Sequence, residues 1–216
     1  MSANIDLYFS FRSPYSYLAV QLVEDALRDF DVTLALRPVL PLAVREPDFF
    51  SAGNLDRVRY ILIDWLRRAE MLGLPYGMPS PDPIVQDMST FRIASEQPYI
   101  YRLTYLGAEA QLRGAGVPFA REVSRLIWGG TEHWNEGAHL ADAAARVGLD
   151  LAAMEEAIGE GDGHKEIVEG NQQAQIAAGH RGVPLFVFEG EPFFGQDRID
   201  SLCWRLEKAG LKRGAA

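Results

Sequence analysis

Residues 5–19 carry the local pattern that decides the fold, and they read IDLYFSFRSPYSYLA. The residues up to Phe11 have the alternating apolar character of a β-strand. Ser13 followed by Pro14 is a helix-start signal, because serine caps free amides and proline suits the first helical position. The residues after this turn, as far as Arg28, have the apolar spacing of an amphipathic helix. The stretch therefore predicts a strand, a turn at Ser13 and a helix.

A second strand is predicted directly after this helix, over residues 32–39. A strand, a helix and a further strand in succession form a β-α-β unit. Its two strands are expected to be parallel neighbours joined by a right-handed crossover.

Strand patterns return near the C-terminus. Residues 184–189 and 191–195 are short apolar runs, and Glu189-Gly190 between them predicts a tight hairpin. Residues 197–209 predict a final amphipathic helix. Together with the N-terminal unit, these elements predict a mixed four-stranded sheet with flanking helices, which is the thioredoxin-like layout of the α/β class.

The middle of the chain has almost only helical patterns. We therefore predict a large all-helical insertion over residues 41–164, and a thioredoxin-like domain formed by residues 1–40 and 180–216, with the helix at 165–179 leading into it. The helices predicted in this part cover residues 55–72, 89–113, 118–129, 136–147, 151–158 and 165–178.

Composition and charge narrow the classes of function. The 216 residues include 21 basic and 30 acidic side chains, for a net charge of −9. An acidic chain without a basic cluster is a poor candidate for nucleic-acid binding. Cys203 is the only cysteine, which excludes an internal disulfide and a cysteine-rich zinc site, and the histidines lack metal-ligand spacing. No secretory signal and no apolar run of about 18 residues is visible, so we expect a cytoplasmic protein without membrane contact and without a metal.

Two motifs near opposite ends of the chain resemble one family. Residues 8–19, YFSFRSPYSYLA, are similar to the opening of the 2-hydroxychromene-2-carboxylate isomerases, which group with the kappa-class glutathione transferases in the DsbA-like thioredoxin superfamily. Residues 182–184, GVP, and 193–198, FFGQDR, are similar to the C-terminal signature of that group. The resemblance covers essentially the whole chain. It implies a glutathione-dependent cis-trans isomerase of an aromatic pyruvate-type substrate, with glutathione as cofactor, and a homodimer.

The resemblance also implies that Ser13 is catalytic. Redox relatives hold a Cys-x-x-Cys pair in this turn, whereas Ser13 and Ser16 stand in its place here, and disulfide exchange needs thiols. A hydroxyl at a helix N-terminus stabilises an anion, which the family implies is the nucleophilic thiolate of glutathione. Tyr15 and Ser16 are then candidate substrate contacts. The alternative is that Ser13 is an N-cap without a catalytic role.

The family further implies where glutathione binds. Val183 and Pro184 match the cis-proline loop of thioredoxin folds, whose backbone groups pair with the extended glutathione chain like an added strand. The γ-glutamyl end falls at Gln196 and Asp197, since a helix N-terminus attracts a carboxylate and Asp197 can meet an ammonium group. The alternatives are a trans proline that starts a strand and an ordinary aspartate cap.

One part of the family pattern is altered. Asn54 resembles the start of a second glutathione contact, but the family lysine three residues before Tyr60 is replaced by Arg57, which can hold the glycyl carboxylate bidentately. Tyr60 and Asp64 are candidate substrate contacts, and with Arg67 they share one helix face. The alternative for this trio is a solvated ion pair beside a packed tyrosine.

Two other functions fit the same residues. One is a kappa-like glutathione S-transferase that keeps the conjugate, and the other is a non-catalytic binding protein on a thioredoxin scaffold. The matches around Ser13 and Asp197 favour an enzyme. The short segment from Asn54 to Tyr60, with Arg57 in place of lysine, favours a changed ligand or the binding protein.

Overall fold

The computed structural model describes residues 3–46, 55–87, 90, 92–159 and 161–213. The N-terminal unit consists of strand β1 (Ala3–Phe9), helix α1 (Pro14–Ala26) and strand β2 (Val32–Pro38). The helices that follow are α2 (Leu42–Arg45), α3 (Leu55–Met71), α4 (Ile100–Leu112), α5 (Gly116–Trp128), α6 (His139–Arg146), α7 (Leu151–Gly159) and α8 (Gly163–Ala177). The C-terminal elements are β3 (Leu185–Phe188), β4 (Glu191–Phe194), a 3-10 helix (Gln196–Arg198) and α9 (Ile199–Lys208).

The four strands form one mixed sheet in the order β2-β1-β3-β4. Strand β1 is parallel to β2 and antiparallel to β3, so Leu7 lies opposite both Leu36 and Phe186. Glu189 and Gly190 have φ angles of 49° and 82°, which the hairpin between β3 and β4 requires. The predicted thioredoxin-like α/β fold, with its parallel β-α-β unit and C-terminal hairpin, is confirmed.

Apolar packing joins the sheet to the helices of the middle segment. The Phe11 ring, which follows β1, packs edge-on against Phe9 at 5.0 Å and against Phe119 of α5 at 6.3 Å between centroids. The same buried cluster continues to Met154 of α7 and Leu202 of α9. The division into an inserted domain and a thioredoxin-like domain stays a prediction.

The prediction of one helix over residues 89–113 is wrong for residues 92–99, whereas residues 89 and 91 lie outside the described ranges. Residues 92–99 are not helical, and α4 begins only at Ile100. The Gln97 side chain binds both backbone groups of Val85 at 2.8 Å, which holds this segment in a turn. Pro98 also disfavours a helical conformation at Gln97. The helical spacing of apolar residues extends through residues 92–99, but the backbone of this segment is hydrogen-bonded to Val85 and Asp87 and not within a helix.

No helix in the described ranges is long and apolar enough to cross a membrane.

Candidate active site

The Ser13 turn has the predicted cap. Ser13 has extended backbone angles (φ −100°, ψ 116°), and its Oγ accepts the Ser16 amide at 3.1 Å, while Pro14 occupies the first helical position. The Ser13 amide donates to Ser10 O at 3.0 Å, which closes the turn after β1. Because a hydroxyl accepts through a lone pair, the Ser13 proton stays free to donate to an anion at the helix N-terminus. The geometry permits the cap and the thiolate contact together.

Ser16, the second serine of this turn, is not accessible to solvent. Its side chain is fully buried, and Ser16 Oγ has no hydrogen-bond partner among the residues that the structure describes. A candidate substrate contact at this position would need access that the folded chain does not provide.

The loop before β3 carries the predicted cis peptide bond between Val183 and Pro184. The β1–β3 pairing ends at Tyr8 and Leu185, so Pro184 and Val183 follow it at the end of β1 that leads to Ser10 and the Ser13 turn. Within the described part of the chain, neither the N–H nor the C=O of Val183 has a hydrogen-bond partner. A free donor and acceptor beside the helix N-terminus can pair with an extended peptide.

Asp64 of α3 connects three donors. Its carboxylate accepts hydrogen bonds from Tyr15 Oη at 2.8 Å, Arg67 Nη2 at 2.6 Å and Tyr60 Oη at 3.4 Å. Burial raises the pKa of Asp64, but these hydrogen bonds outweigh it and hold the pKa below the ordinary value. The structure thus brings together three of the predicted substrate contacts, one from α1 and two from α3.

Tyr15 is held as a neutral phenol by the same contacts. Burial first, and then the hydrogen bond to Asp64, raise the pKa of Tyr15 well above its ordinary value. The negative charges of Asp64 and Asp197 act in the same direction, which places Asp197 within electrostatic range of Tyr15. The Asp64 cluster and the C-terminal motif therefore border one region at the start of α1.

The C-terminal motif presents one buried and one exposed side chain. Gln196 is buried, and its Oε1 accepts from Arg68 Nη2 at 3.2 Å. Asp197 is about half exposed, and its carboxylate lies 3.2 Å from Arg198 Nη1. Gly195, with φ 111°, makes the turn into this motif, and its amide donates to Pro184 O at 2.9 Å. These bonds tie the 3-10 helix to the cis-proline loop and to α3.

The remaining predicted contacts are only partly described. Asn54 lies outside the described residues. Arg57 is in the first turn of α3, but the described structure does not include its side chain. In the described ranges, no three His, Cys, Asp or Glu side chains come together as a metal site.

Residues 4–207 match the model of the DSBA-like thioredoxin domain. The chain belongs to this family. Disulfide oxidoreductases of the family rely on thiols, and this DSBA-like domain has serine at both positions of the usual pair.

Named relatives extend the comparison over the whole chain. A 2-hydroxychromene-2-carboxylate isomerase from Sphingobium xenophagum is 28% identical over 203 residues, which cover 94% of this chain and 97% of that protein. The solved structure of a 2-hydroxychromene-2-carboxylate isomerase superposes with a TM-score of 0.72 at 20% identity and covers 96% of each chain. The cytosolic disulfide reductase DsbM from Pseudomonas aeruginosa, solved with GSH, superposes with a TM-score of 0.64 at 17% identity and covers 95% of this chain and 98% of that chain. These two structures are similar to the DSBA-like domain in fold.

Sequence reasoning missed two arginines at this site. Arg12, directly before Ser13, donates from Nε and Nη2 to the Asp82 carboxylate at 3.1 and 3.0 Å. Arg68 donates a hydrogen bond to Gln196. Its position four residues after Asp64, on the same helix face, could have indicated that Arg68 belongs to the site. For Arg12, no pattern in the sequence indicated a partner 70 residues away.

Trp128 and Trp134 of the middle segment pack in the core and donate hydrogen bonds to backbone carbonyls. Trp128 Nε1 donates to Phe11 O at 2.9 Å, and its ring meets Trp65 edge-on at 5.2 Å. Trp134 Nε1 donates to Pro81 O at 2.7 Å. Both side chains are buried and pack in the core, and Trp128 also anchors the strand end that leads to Ser13.

Proposed function

We propose that this DSBA-like domain is a glutathione-dependent cis-trans isomerase of an aromatic pyruvate-type substrate, similar to the 2-hydroxychromene-2-carboxylate isomerases. One observation carries the proposal: the Ser13 hydroxyl can donate a hydrogen bond at the start of α1, and the backbone N–H and C=O of Val183 have no partner in the described part of the chain. A thiol-bearing peptide that pairs with Val183 would present its sulfur to the N-terminus of α1. The relative named as such an isomerase, matched over 94% of this chain, supports the same reaction class.

The residues present fit glutathione at three points. Val183 offers a donor and an acceptor for its backbone, Ser13 offers a proton for its sulfur, and Asp197 offers a half-exposed carboxylate for its ammonium group. Glutathione would supply a nucleophile whose reversible addition turns a conjugated double bond into a rotatable single bond. Asn54 and Arg57 are proposed for the glycyl carboxylate, which Arg57 would hold bidentately.

The protein's own contribution is electrostatic. The free amides and the dipole of α1, together with the Ser13 hydroxyl, favour a negative charge on the sulfur and lower the thiol pKa. Asp64 stays ionised and holds Tyr15 and Tyr60 in place, so these three form the polar side of the proposed substrate site. The hydroxyls of Tyr15 and Tyr60 keep free lone pairs that can accept a hydrogen bond from the substrate.

Disulfide chemistry lacks its reagent at this site. The only thiol in the chain is Cys203, whose Sγ lies 3.6 Å from Ala26 O. Ala26 is at the opposite end of α1 from Ser13, roughly 20 Å away by the rise of a 13-residue helix. The fold shared with disulfide reductases therefore does not carry their activity here.

The test is a glutathione titration followed by a product assay. Calorimetry and ultraviolet absorbance of the thiolate should show binding with ionisation at neutral pH, and S-methylglutathione should bind without the absorbance change. With an aromatic enone acid, recovery of a geometric isomer of unchanged mass supports the isomerase. A stable glutathione conjugate indicates the transferase, and the absence of binding at millimolar glutathione rejects the proposal in favour of a binding protein. The homodimer and the cytoplasmic location stay predictions.

A further inference from the structure

Gly182, the residue before Val183, has both its N–H and its C=O hydrogen-bonded to side chains. Its amide donates to Nδ1 of His180 at 2.9 Å. Its carbonyl accepts from Nε2 of Gln175, a fully buried side chain of α8, at 2.9 Å. Gln175 Oε1 in turn accepts from Arg45 Nη1 at 3.2 Å. Both hydrogen-bonding groups of the residue that precedes the cis-proline loop are thus used by side chains.

The third side of Gly182 is closed by two stacked rings. The rings of His180 and Phe194 lie 3.7 Å apart with an angle of 30° between their planes. A Cβ at Gly182 would lie 2.6 Å from Phe194 Cε2 and 2.8 Å from His180 Cε1, so a larger residue here would displace at least one of the two rings. His180 therefore both supports Gly182 by packing and accepts its amide.

The unpaired N–H and C=O of Val183 come directly after Gly182, which His180, Gln175 and Phe194 hold in place. Gly182 and Val183 share a peptide bond. A shift of Gly182 would therefore turn the Val183 N–H, which is the group proposed to pair with glutathione. Preformed geometry raises affinity because the loop does not have to be ordered on binding. Loss of the acceptor at His180 would therefore reach Val183 through Gly182.

We propose that His180 is a positioning residue for the thiol-peptide site, and that its neutral Nδ1 holds the Gly182 amide so that Val183 is set to pair with glutathione. This inference rests on the proposed function for its ligand. The hydrogen bond itself does not depend on that function. An amide can donate only to an unprotonated nitrogen, so the ring must carry its proton on Nε2.

Two substitutions separate the acceptor from the ring. His180→Phe keeps a ring against Phe194 and removes the acceptor. His180→Asn removes the ring, and its Oδ1 stands where Nδ1 accepts the amide. The readouts are the calorimetric Kd for glutathione and the KM and kcat with glutathione as the varied reactant.

For His180→Phe we expect the Kd and KM for glutathione to rise about tenfold, because one hydrogen bond of about 1–1.5 kcal/mol is lost, with kcat changed less than about twofold. For His180→Asn we expect both constants within about threefold of the unsubstituted protein. An unchanged KM in His180→Phe overturns the proposal. Equal losses in both variants overturn it as well, because the ring and not the acceptor would then matter.

Nuclear magnetic resonance tests the hydrogen bond between His180 and Gly182 directly. It uses the unsubstituted protein without glutathione, so it does not depend on whether the variants fold. In the ¹⁵N-histidine-labelled protein near pH 8, His180 should show the Nε2–H tautomer, and the Gly182 amide should exchange slowly with solvent. The Nδ1–H tautomer or a fast-exchanging Gly182 amide overturns the positioning role even if glutathione binds. If glutathione fails to bind while these two signals are as expected, the proposed function is wrong and the His180 anchor stands.

Discussion

Ser13 Oγ lies 3.1 Å from the amide nitrogen of Ser16 and accepts its hydrogen, so one hydroxyl caps α1 while its own proton stays available at the helix N-terminus. The cap and the proposed thiolate contact therefore use different parts of the same group. Removing the side chain affects both, and a suitable replacement separates them.

Ser13→Ala should lower the free energy of unfolding by about 1 kcal/mol through loss of the cap. It should also raise the pKa of bound glutathione and reduce turnover. Ser13→Asp restores the cap but places a carboxylate against the sulfur, so we expect stability near the original value and activity at least as low as that of Ser13→Ala. Urea unfolding and thiolate absorbance check the two effects. Unchanged kinetics in Ser13→Ala at neutral pH would remove Ser13 from the proposed chemistry.

Asp197→Asn should raise the KM for glutathione by roughly tenfold or more, because a hydrogen-bonded charge contributes about 1.5–3 kcal/mol. Its kcat should change little, since the γ-glutamyl end is remote from the sulfur. Asp200→Asn is the matched control, because Asp200 is also exposed and lies three residues later in α9. Steady-state kinetics with varied glutathione check the prediction. Equal KM values for the two variants would contradict the placement of the γ-glutamyl group at Asp197.

Arg12 and Asp82 join the Ser13 turn to the segment between α3 and α4, and we expect this pair to affect the aromatic substrate more than glutathione. Arg12→Lys loses the two parallel bonds to the carboxylate, because an ammonium group acts as a point charge. We expect a higher KM for the aromatic substrate and an unchanged Kd for glutathione. A double-mutant cycle with Asp82→Asn should give a coupling of about 1 kcal/mol in stability. A coupling near zero would show that the two side chains act independently.

The features that could be predicted from sequence are the local ones. Ser13-Pro14 and Glu189-Gly190 act within a few residues, and each has the capping or turn geometry that its side chains favour. The Arg12–Asp82 and Arg68–Gln196 pairs join residues 70 and 128 positions apart, so their partners become visible only in the folded chain.

The error in the 89–113 prediction, at residues 92–99, has a related cause. Gln97 bonds the backbone of Val85, twelve residues away, and periodicity carries no information about such a bond. In the same way, the family motif indicated Val183-Pro184 but not the His180 and Gln175 side chains that hold the residue before it.

Cys203 should be unreactive in the folded protein. Burial first, and then the nearby charges of Asp200 and Glu207, raise the pKa of its thiol, and the thiolate is the reactive form. We expect alkylation at pH 7 to be much slower than in the urea-unfolded chain. Cys203→Ser should keep the full dependence of activity on glutathione. Loss of that dependence would indicate that glutathione acts through Cys203 and not as a thiol bound at Ser13.

Asp64 should make the stability of the protein depend on pH in a defined direction. Its pKa is lowered in the folded state, so it stabilises the protein above the ordinary carboxyl pKa of about 3.9 and loses that effect as the pH falls through the lowered value. Asp64→Asn should therefore reduce the free energy of unfolding clearly at pH 7, and the difference from the unsubstituted protein should shrink in acid. Urea unfolding at neutral pH and below pH 3.9 measures this difference.

The control for Asp64 is Asp56→Asn on the same helix. Asp56 is fully exposed and lies 3.9 Å from Arg59, so its loss should change stability little at either pH. Tyr15→Phe removes one of the three donors to Asp64 and should move the lower edge of the pH window towards the ordinary carboxyl pKa, because the carboxylate is then less stabilised. A difference for Asp64→Asn that is the same at both pH values would mean that Asp64 contributes through packing and not through its charge. The hydrogen bonds from Tyr15, Tyr60 and Arg67 would then hold the shape of the site without fixing the protonation state of Asp64.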